Sequence, residues 1–127
     1  MQPSDLIQIA REAAQNAVVP YSHFPVGAAV ETEDGTIFRG CNIESAAYPT
    51  TMCAERVAIF AALAAGASPQ RIAVSCLKGD PSDPTSLTPC GGCRQVMLDQ
   101  MGPDAPVFVD GVGEFTVGEL LPYGFRL

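Results

Sequence analysis

Three cysteines and one glutamate are the residues of this chain whose types and spacing could perform chemistry. Cys53 and Glu55 lie two positions apart, and Cys90 and Cys93 follow much later in a Pro-Cys-Gly-Gly-Cys segment. Three thiolates can bind one zinc ion and leave its fourth tetrahedral position open, which is the arrangement of catalytic zinc sites. The spacing therefore predicts one Zn²⁺ per chain, with Glu55 moving protons at the open position.

Each cysteine segment is predicted to lie at the start of a helix. Residues 52–65 are alanine-rich, contain no Gly or Pro, and predict a buried helix. A second helix is predicted to begin within residues 90–93 and to continue to about residue 100. Unpaired N–H groups and the positive dipole end of a helix N-terminus stabilise thiolates. Because Cys90 and Cys93 are three positions apart, they share one side of the first turn and can meet Cys53 from the other helix.

Three thiolates leave a zinc site with a net negative charge, which makes the metal a weaker Lewis acid than one bound by histidines. Donors to the sulfurs would offset this charge, and Arg56 and Gln95 are predicted to fill that role. Arg56 and Glu55 also have ordinary explanations, a surface ion pair for the first and a favourable helix-dipole contact for the second. Their positions inside the cysteine segment favour roles at the metal.

The rest of the chain alternates strands with helices. A first helix is predicted with Ser4 as its N-cap, and it ends before Pro20. Strands are predicted at residues 26–32, 36–41, 72–77, 107–109 and 114–117, with a turn at 33–35, a loop at 78–88 and a helical turn at 118–121. This order predicts an α/β fold, a three-layer α/β/α sandwich around a five-stranded mixed sheet, in a single domain of residues 1–127.

The amino-acid composition limits which binding partners and which cellular compartment are expected. The chain carries 7 basic and 14 acidic residues, a net charge of -7, so a nucleic acid polymer is not an expected partner. No stretch has the length and apolar character of a membrane span or a signal peptide. Five cysteines in such a chain are typical of reduced thiols in the cytoplasm, where metal binding is favoured over disulfides.

A Cys₃ site, a glutamate that is not a ligand and a P-C-x-x-C segment together form the arrangement of zinc nucleobase deaminases. The chain resembles the small homotetrameric cytidine deaminases over nearly its whole length. The resemblance lies in YSHFPVGAA at 21–29, GCNIE at 40–44, CAER at 53–56, PCGGCRQV at 89–96 and LLP at 120–122. Several specific segments in the same order make a chance match improbable.

This resemblance implies a reaction and a substrate site. The expected reaction is the hydrolysis of cytidine and 2′-deoxycytidine to uridine and 2′-deoxyuridine with release of ammonia, a step of pyrimidine salvage. Phe24 would pack against the pyrimidine, the backbone N–H of Ala54 would bind the base carbonyl, and Asn42 and Glu44 would hold the ribose 3′-hydroxyl. Taken alone, Phe24 is also compatible with a core aromatic, and Asn42 and Glu44 with ordinary turn residues.

The resemblance also implies an assembly. Phe125 would cross into a neighbouring subunit and close its site, and Tyr48 would reach across in the same way. The expected assembly is therefore a homotetramer with shared active sites and a small nucleoside as substrate. Cys53 stands where nucleotide deaminases have a histidine, which favours free nucleosides.

Other functions stay open from the sequence. A related deaminase could act on a cytosine-containing antibiotic of the blasticidin type. The zinc could instead be structural, with Cys41 or Cys76 completing a four-cysteine site, and His23 could also supply a fourth ligand. Cys90 and Cys93 have the spacing of a thiol oxidoreductase motif, but the strand and Trp expected before such a motif are missing.

Overall fold

The computed structural model describes residues 1–127, in which four helices and five strands alternate. Two short 3₁₀ turns, Tyr48–Thr50 and Pro84–Ser86, precede the second and third helices. No helix has the length and apolar character needed to cross a bilayer. The elements are α1 (Pro3–Ala14), β1 (Val26–Thr32), β2 (Ile37–Cys41), α2 (Ala54–Ala64), β3 (Pro69–Cys76), α3 (Gly91–Met101), β4 (Pro106–Val109), β5 (Gly113–Thr116) and α4 (Val117–Leu120).

The five strands form one mixed sheet in the order β2-β1-β3-β4-β5. The β3 and β4 strands run parallel, with Ala73 opposite Phe108, because α3 connects them as a crossover helix. All other neighbouring strands are antiparallel. The predicted α/β/α sandwich with a five-stranded mixed sheet is confirmed.

Strand β1 lies inside the sheet and is buried on both faces, which explains its continuous run of apolar residues. Alternation along the strand sends Ala28 and Val30 into a large core beneath α2, α3 and α4. Ala29 points the other way, into a smaller core beneath α1. This smaller core also contains Leu6 and Phe108.

Two glycines let a helix approach each face of the sheet. A Cβ at Gly27 would lie 1.9 Å from the carbonyl oxygen of Ala10 in α1. A Cβ at Gly40 would lie 2.3 Å from the carbonyl oxygen of Ala54 in α2. Because Ala54 begins α2, the glycine on β2 determines how close the N-terminal end of that helix comes to the sheet.

The predicted element boundaries differ from the structure where neighbouring segments pair. Helix α1 begins before Ser4, and its N-cap is Gln2, whose N–H donates to Asp5 at 2.9 Å. Helix α2 does not include Met52, because Met52 exchanges two backbone hydrogen bonds with Ile43 at 2.9 and 3.0 Å. Strand β3 begins at residue 69 rather than 72, since its pairing with β1 continues past the predicted start.

Candidate metal centre and active site

The cysteines lie at the N-termini of α2 and α3, as their spacing predicts. Cys53 is the N-cap residue of α2, and Cys90 is the N-cap residue of α3. The Cys90 sulfur accepts the backbone N–H of Cys93 at 3.4 Å, so it satisfies one of the free donors of the helix end. Cys93 lies in the first turn of α3 and is fully buried.

The three sulfur atoms converge on one point. The Sγ of Cys90 lies 3.9 Å from that of Cys53 and 3.4 Å from that of Cys93, and all three lie within 4.8 Å of one another. Sulfurs bound to one tetrahedral zinc at about 2.3 Å lie about 3.8 Å apart. The observed spacing fits three corners of a zinc site, and these three residues could hold the ion.

Arg56 contacts the thiol cluster directly. Its Nη2 donates to the Cys53 sulfur at 3.1 Å, while its Nε is buried without a partner. A hydrogen bond from the Cys93 thiol, followed by that from Arg56, lowers the pKa of Cys53. A divalent ion would replace the proton shared between these sulfurs, because metal ligands must be deprotonated.

Gln95 lies elsewhere, so the expectation that it donates to the sulfurs is not met. Its Nε2 donates to Asp99 at 3.0 Å and to the carbonyl oxygen of Phe125 at 2.9 Å. The side chain therefore ties the C-terminal segment to the exposed side of α3. Helical spacing could not show this, because the partner is 30 residues away in the sequence.

Arg94 is a structural support that the sequence reasoning missed. Its Nε donates to the carbonyl oxygen of Pro89 at 2.7 Å, and its Nη1 donates to that of Leu120 at 2.6 Å. The guanidinium thus joins the residue before Cys90 to the end of α4. Its position directly after Cys93 was the only signal in the sequence.

Glu55 lies in the first turn of α2 and is only 4% exposed. Burial raises the pKa of its carboxyl to about 7, and the negative charge of Cys53 acts in the same direction. Its own backbone N–H and the Cys93 thiol oppose this rise. A carboxyl with a pKa near neutrality can both accept and donate a proton at physiological pH.

Cys53, Cys90 and Glu55 line a cavity of about 170 Å³. Phe24, Asn42 and Ala54 also line it, so the structure brings these three predicted substrate residues to the metal cluster. The sequence reasoning missed the other walls. They come from the start of β1, from β3 and from the loop that follows β3, and consist of Val26, Val74, Cys76, Ser86 and Thr88.

Glu44 and Tyr48 lie beside this cavity rather than in it. Both line a neighbouring groove of about 440 Å³. The Glu44 carboxylate accepts the backbone N–H groups of Tyr21 and Ser22, each at 3.1 Å, and also the Ser22 hydroxyl. The hydroxyl contact is the main reason why the pKa of Glu44 is lowered.

Phe125 does not line the cavity of its own chain. It is 68% exposed, and Tyr48 is 77% exposed. The Tyr48 ring meets that of Tyr21 edge-on, with centroids 6.5 Å apart. Tyr21 and Tyr48 therefore form part of the outer surface at the groove, and Phe125 lies exposed beside α3.

The candidates for a fourth protein ligand lie outside the thiol cluster. The cluster has three members, and Cys76, although it lines the cavity, donates to the carbonyl oxygen of Leu87 at 3.6 Å. Burial raises the pKa of Cys76 to about 12, which favours the neutral thiol. Cys41 lines a different cavity, and His23 is exposed. None of these three residues therefore completes a four-ligand set with Cys53, Cys90 and Cys93.

Residues 1–109 match the sequence model of a family described as the cytidine and deoxycytidylate deaminase zinc-binding region. The chain belongs to this family. One relative of this chain is the cytidine deaminase of Sporosarcina psychrophila, which is 43% identical to it. The match covers 98% of this chain and 92% of that protein.

Solved structures of the family share the whole fold. The crystal structure of cytidine deaminase from Burkholderia pseudomallei is 41% identical, has a TM-score of 0.88, and is matched over 98% of this chain and 100% of its own. That of cytidine deaminase from Mycobacterium tuberculosis is 35% identical with a TM-score of 0.86, over 100% of this chain and 99% of its own. The zinc-binding region of the family and the three-thiol cluster together identify Zn²⁺ as the cofactor.

Proposed function

We propose that this chain is a zinc-dependent hydrolase that converts cytidine and 2′-deoxycytidine to uridine and 2′-deoxyuridine with release of ammonia, a reaction of pyrimidine salvage. One observation carries the proposal. In a chain of the deaminase family, three thiols at two helix ends converge, and two of them, Cys53 and Cys90, line a cavity together with the buried Glu55. An open corner next to an acid and base is what hydrolysis requires.

The proposed proton carrier is Glu55. Cys53, Cys90 and Cys93 would hold Zn²⁺, which would supply the Lewis acidity that activates water. Glu55 accepts a proton from the attacking water and donates it to N3 of the cytosine ring as the C4–O bond forms. It then accepts the proton of the new C4 hydroxyl and delivers it to the 4-amino nitrogen, so that the C4–N bond breaks and ammonia leaves. A pKa near 7 suits both halves of this cycle, because the same carboxyl must take and release protons.

Arg56 has the proposed role of balancing charge at the sulfurs. Three thiolates and Zn²⁺ sum to a negative centre, which weakens the polarisation of water. The guanidinium contact with Cys53 at 3.1 Å withdraws charge from one sulfur. This contact therefore supports the acidity of the metal without occupying its open corner.

The substrate contacts follow from the cavity walls. Phe24 packs against the pyrimidine, and the N–H of Ala54, which has no helical partner at the start of α2, binds the base carbonyl. One hydrogen of the Asn42 amide donates to Phe24, which leaves its second hydrogen for the ribose 3′-hydroxyl. Glu44 accepts from the same hydroxyl at the edge of the neighbouring groove.

We further propose a homotetramer of single-domain chains in which Phe125 and Tyr48 complete the site of a neighbouring subunit. Their large exposed rings support this assembly, and Tyr123 and Leu127 extend the exposed apolar surface near the C-terminus. The proposed compartment is the cytoplasm, because a site of three thiolates persists best where thiols stay reduced.

The direct test is an ultraviolet assay of the zinc-loaded protein. Cytidine, deoxycytidine, cytosine, deoxycytidine monophosphate and a blasticidin-type antibiotic are compared side by side. The proposal predicts turnover of the two nucleosides and little of the other compounds. Absence of nucleoside turnover, with one zinc bound per chain, would refute it.

The ligand set and the assembly have tests of their own. Cys90→Ala should release zinc, because two thiolates and water bind the ion far more weakly, and metal analysis of the dialysed protein measures this. Phe125→Ala should weaken the tetramer or raise KM, since large aromatic residues often anchor interfaces. Sedimentation analysis and kinetics check the second variant, and an unaltered, fully active tetramer would contradict it.

A further inference from the structure

The segment that carries Phe24 into the cavity is conformationally restrained. His23, directly before it, has a φ of 55°, a region that residues other than glycine seldom adopt. The Phe24 peptide is held on both sides, since its N–H donates to the Ser22 hydroxyl at 3.1 Å and its carbonyl accepts from Asn42 at 2.9 Å. Such strain persists only when surrounding contacts maintain it.

The Ser22 hydroxyl connects this segment to Glu44. A serine hydroxyl has one hydrogen to donate and lone pairs to accept. The hydrogen goes to the Glu44 carboxylate, and the oxygen accepts the Phe24 N–H. The bond to an ionised carboxylate is stronger than one between neutral groups, and linked hydrogen bonds polarise one another.

We propose that Ser22 is a positioning residue for substrate binding, which holds the Phe24 ring in place by linking its backbone to the Glu44 carboxylate. This inference rests on the proposed function, in which Phe24 packs against the base and Glu44 binds the sugar. The Glu44 carboxylate, which would bind the sugar, thereby also holds in place the Phe24 ring, which would pack against the base. Loss of the Ser22 hydroxyl releases the Phe24 N–H and lets the strained backbone at His23 relax.

The kinetic test compares Ser22→Ala with Ser22→Thr, which keeps the hydroxyl. Cytidine and 2′,3′-dideoxycytidine are the substrates, because the second lacks the hydroxyl that Glu44 would bind. Ser22→Ala should raise KM for both compounds by about tenfold, the equivalent of one hydrogen bond, with kcat changed much less. Ser22→Thr should restore KM.

Ser82→Ala is the matched control. The Ser82 hydroxyl also donates to a carboxylate in an exposed loop, that of Asp80 at 2.7 Å, but it makes no bond to the Phe24 segment. Its KM should stay at the wild-type value for both substrates. An unchanged KM in Ser22→Ala overturns the proposal. A rise confined to cytidine also overturns it, because Ser22 would then act through the sugar contact alone.

Amide hydrogen exchange gives a readout that does not depend on activity. In Ser22→Ala, the Phe24 amide should exchange at least about tenfold faster in ¹⁵N-resolved spectra, since it loses its acceptor. The amide of Val30, inside β1, should be unaffected. Unchanged exchange at Phe24 overturns the proposal. Faster exchange in a protein that is inactive on nucleosides would refute the proposed function and leave the link between Ser22 and Phe24 standing.

Discussion

On each face of the sheet a glycine lets a helix pack closely, but the carboxyl groups on the two faces have pKa values shifted in opposite directions. Gly27 lets α1 approach one face, and Gly40 lets α2 approach the other. Each face has one carboxylate of interest. Asp110 on the α1 side forms an ion pair with Arg11 at 2.7 Å and accepts the Ser75 hydroxyl at 2.8 Å. Glu55 on the α2 side is buried without an ion pair.

The environments of Asp110 and Glu55 therefore have opposite effects on the pKa values of the two carboxyl groups. Hydrogen bonding to Arg11, and then to Ser75, lowers the pKa of Asp110, whereas burial raises that of Glu55 to about 7. A nearby cation favours the charged form of a carboxyl, whereas removal from water without an ion pair favours the protonated form. The comparison teaches that an ion pair lowers the pKa of a carboxyl on one face of the sheet, whereas burial raises the pKa of a carboxyl on the other.

Glu55→Gln is the substitution expected to have the largest effect on the difference between the two faces. Turnover of cytidine should fall by about 10²–10⁴-fold, because the amide cannot carry a proton. Zinc should remain at one per chain, since Glu55 is not a ligand, and the melting temperature should not fall. Steady-state kinetics, metal analysis and calorimetry measure these quantities. Asp110→Asn is the control on the opposite face, with kcat close to wild type; a similar loss in both variants would count against the comparison.

Gly40→Ala and Gly27→Ala test the two packing contacts as a pair. Both methyl groups would meet helix backbone, so each variant should lose about 1–3 kcal/mol or more of stability by overpacking. Only Gly40→Ala displaces the helix that carries Cys53 and Glu55, and misplacement of a catalytic group can reduce turnover by about 10²-fold. Urea denaturation and kcat per folded molecule separate the effects. Equal kcat values in the two variants would show that α2 tolerates the shift.

Asp110→Asn should lower stability at pH 7 by about 1 kcal/mol, as expected for a partly exposed ion pair. The pKa of Asp110 is held below its ordinary value of 3.8 in the folded chain. Its contribution is therefore complete above that value and disappears as the pH falls through the lower, folded value. Urea midpoints of both chains, with a chelator present throughout, should differ at pH 7 and converge below about pH 3.8. A constant difference across this range would exclude the ion pair as the cause.

The smallest effect is expected at the start of α3. A Cβ at Gly92 would lie 3.9 Å from Arg56 and from Cys90, an ordinary contact. Gly92→Ala should therefore stabilise the helix by about 0.5–1 kcal/mol and leave turnover unchanged. Gly102→Ala at the other end of α3 should destabilise, because Gly102 has a φ of 88°. Thermal unfolding of both variants checks the opposite signs.

Short sequence patterns were sufficient to predict where the cysteines of the metal site lie on their helices. The three-residue spacing of Cys90 and Cys93 places both sulfurs on one side of a helical turn whatever surrounds the helix. The apolar run of β1 likewise requires burial on both faces. For this reason the helix N-termini, the pairing of Cys90 with Cys93 and the individual strands follow from residues that are close together in the sequence, whereas Cys53, 37 positions before Cys90, was predicted from ligand type and number.

Only the tertiary structure decided which distant segments meet. It turned Gln95 away from the sulfurs toward Phe125, brought Cys76 into the cavity without adding it to the cluster, and joined Glu44 to Phe24 through Ser22. These contacts join segments from different elements, and their partners depend on how the helices settle on the sheet. Backbone periodicity specifies which way a side chain leaves its own element, whereas the group it meets there depends on the packing of the whole chain.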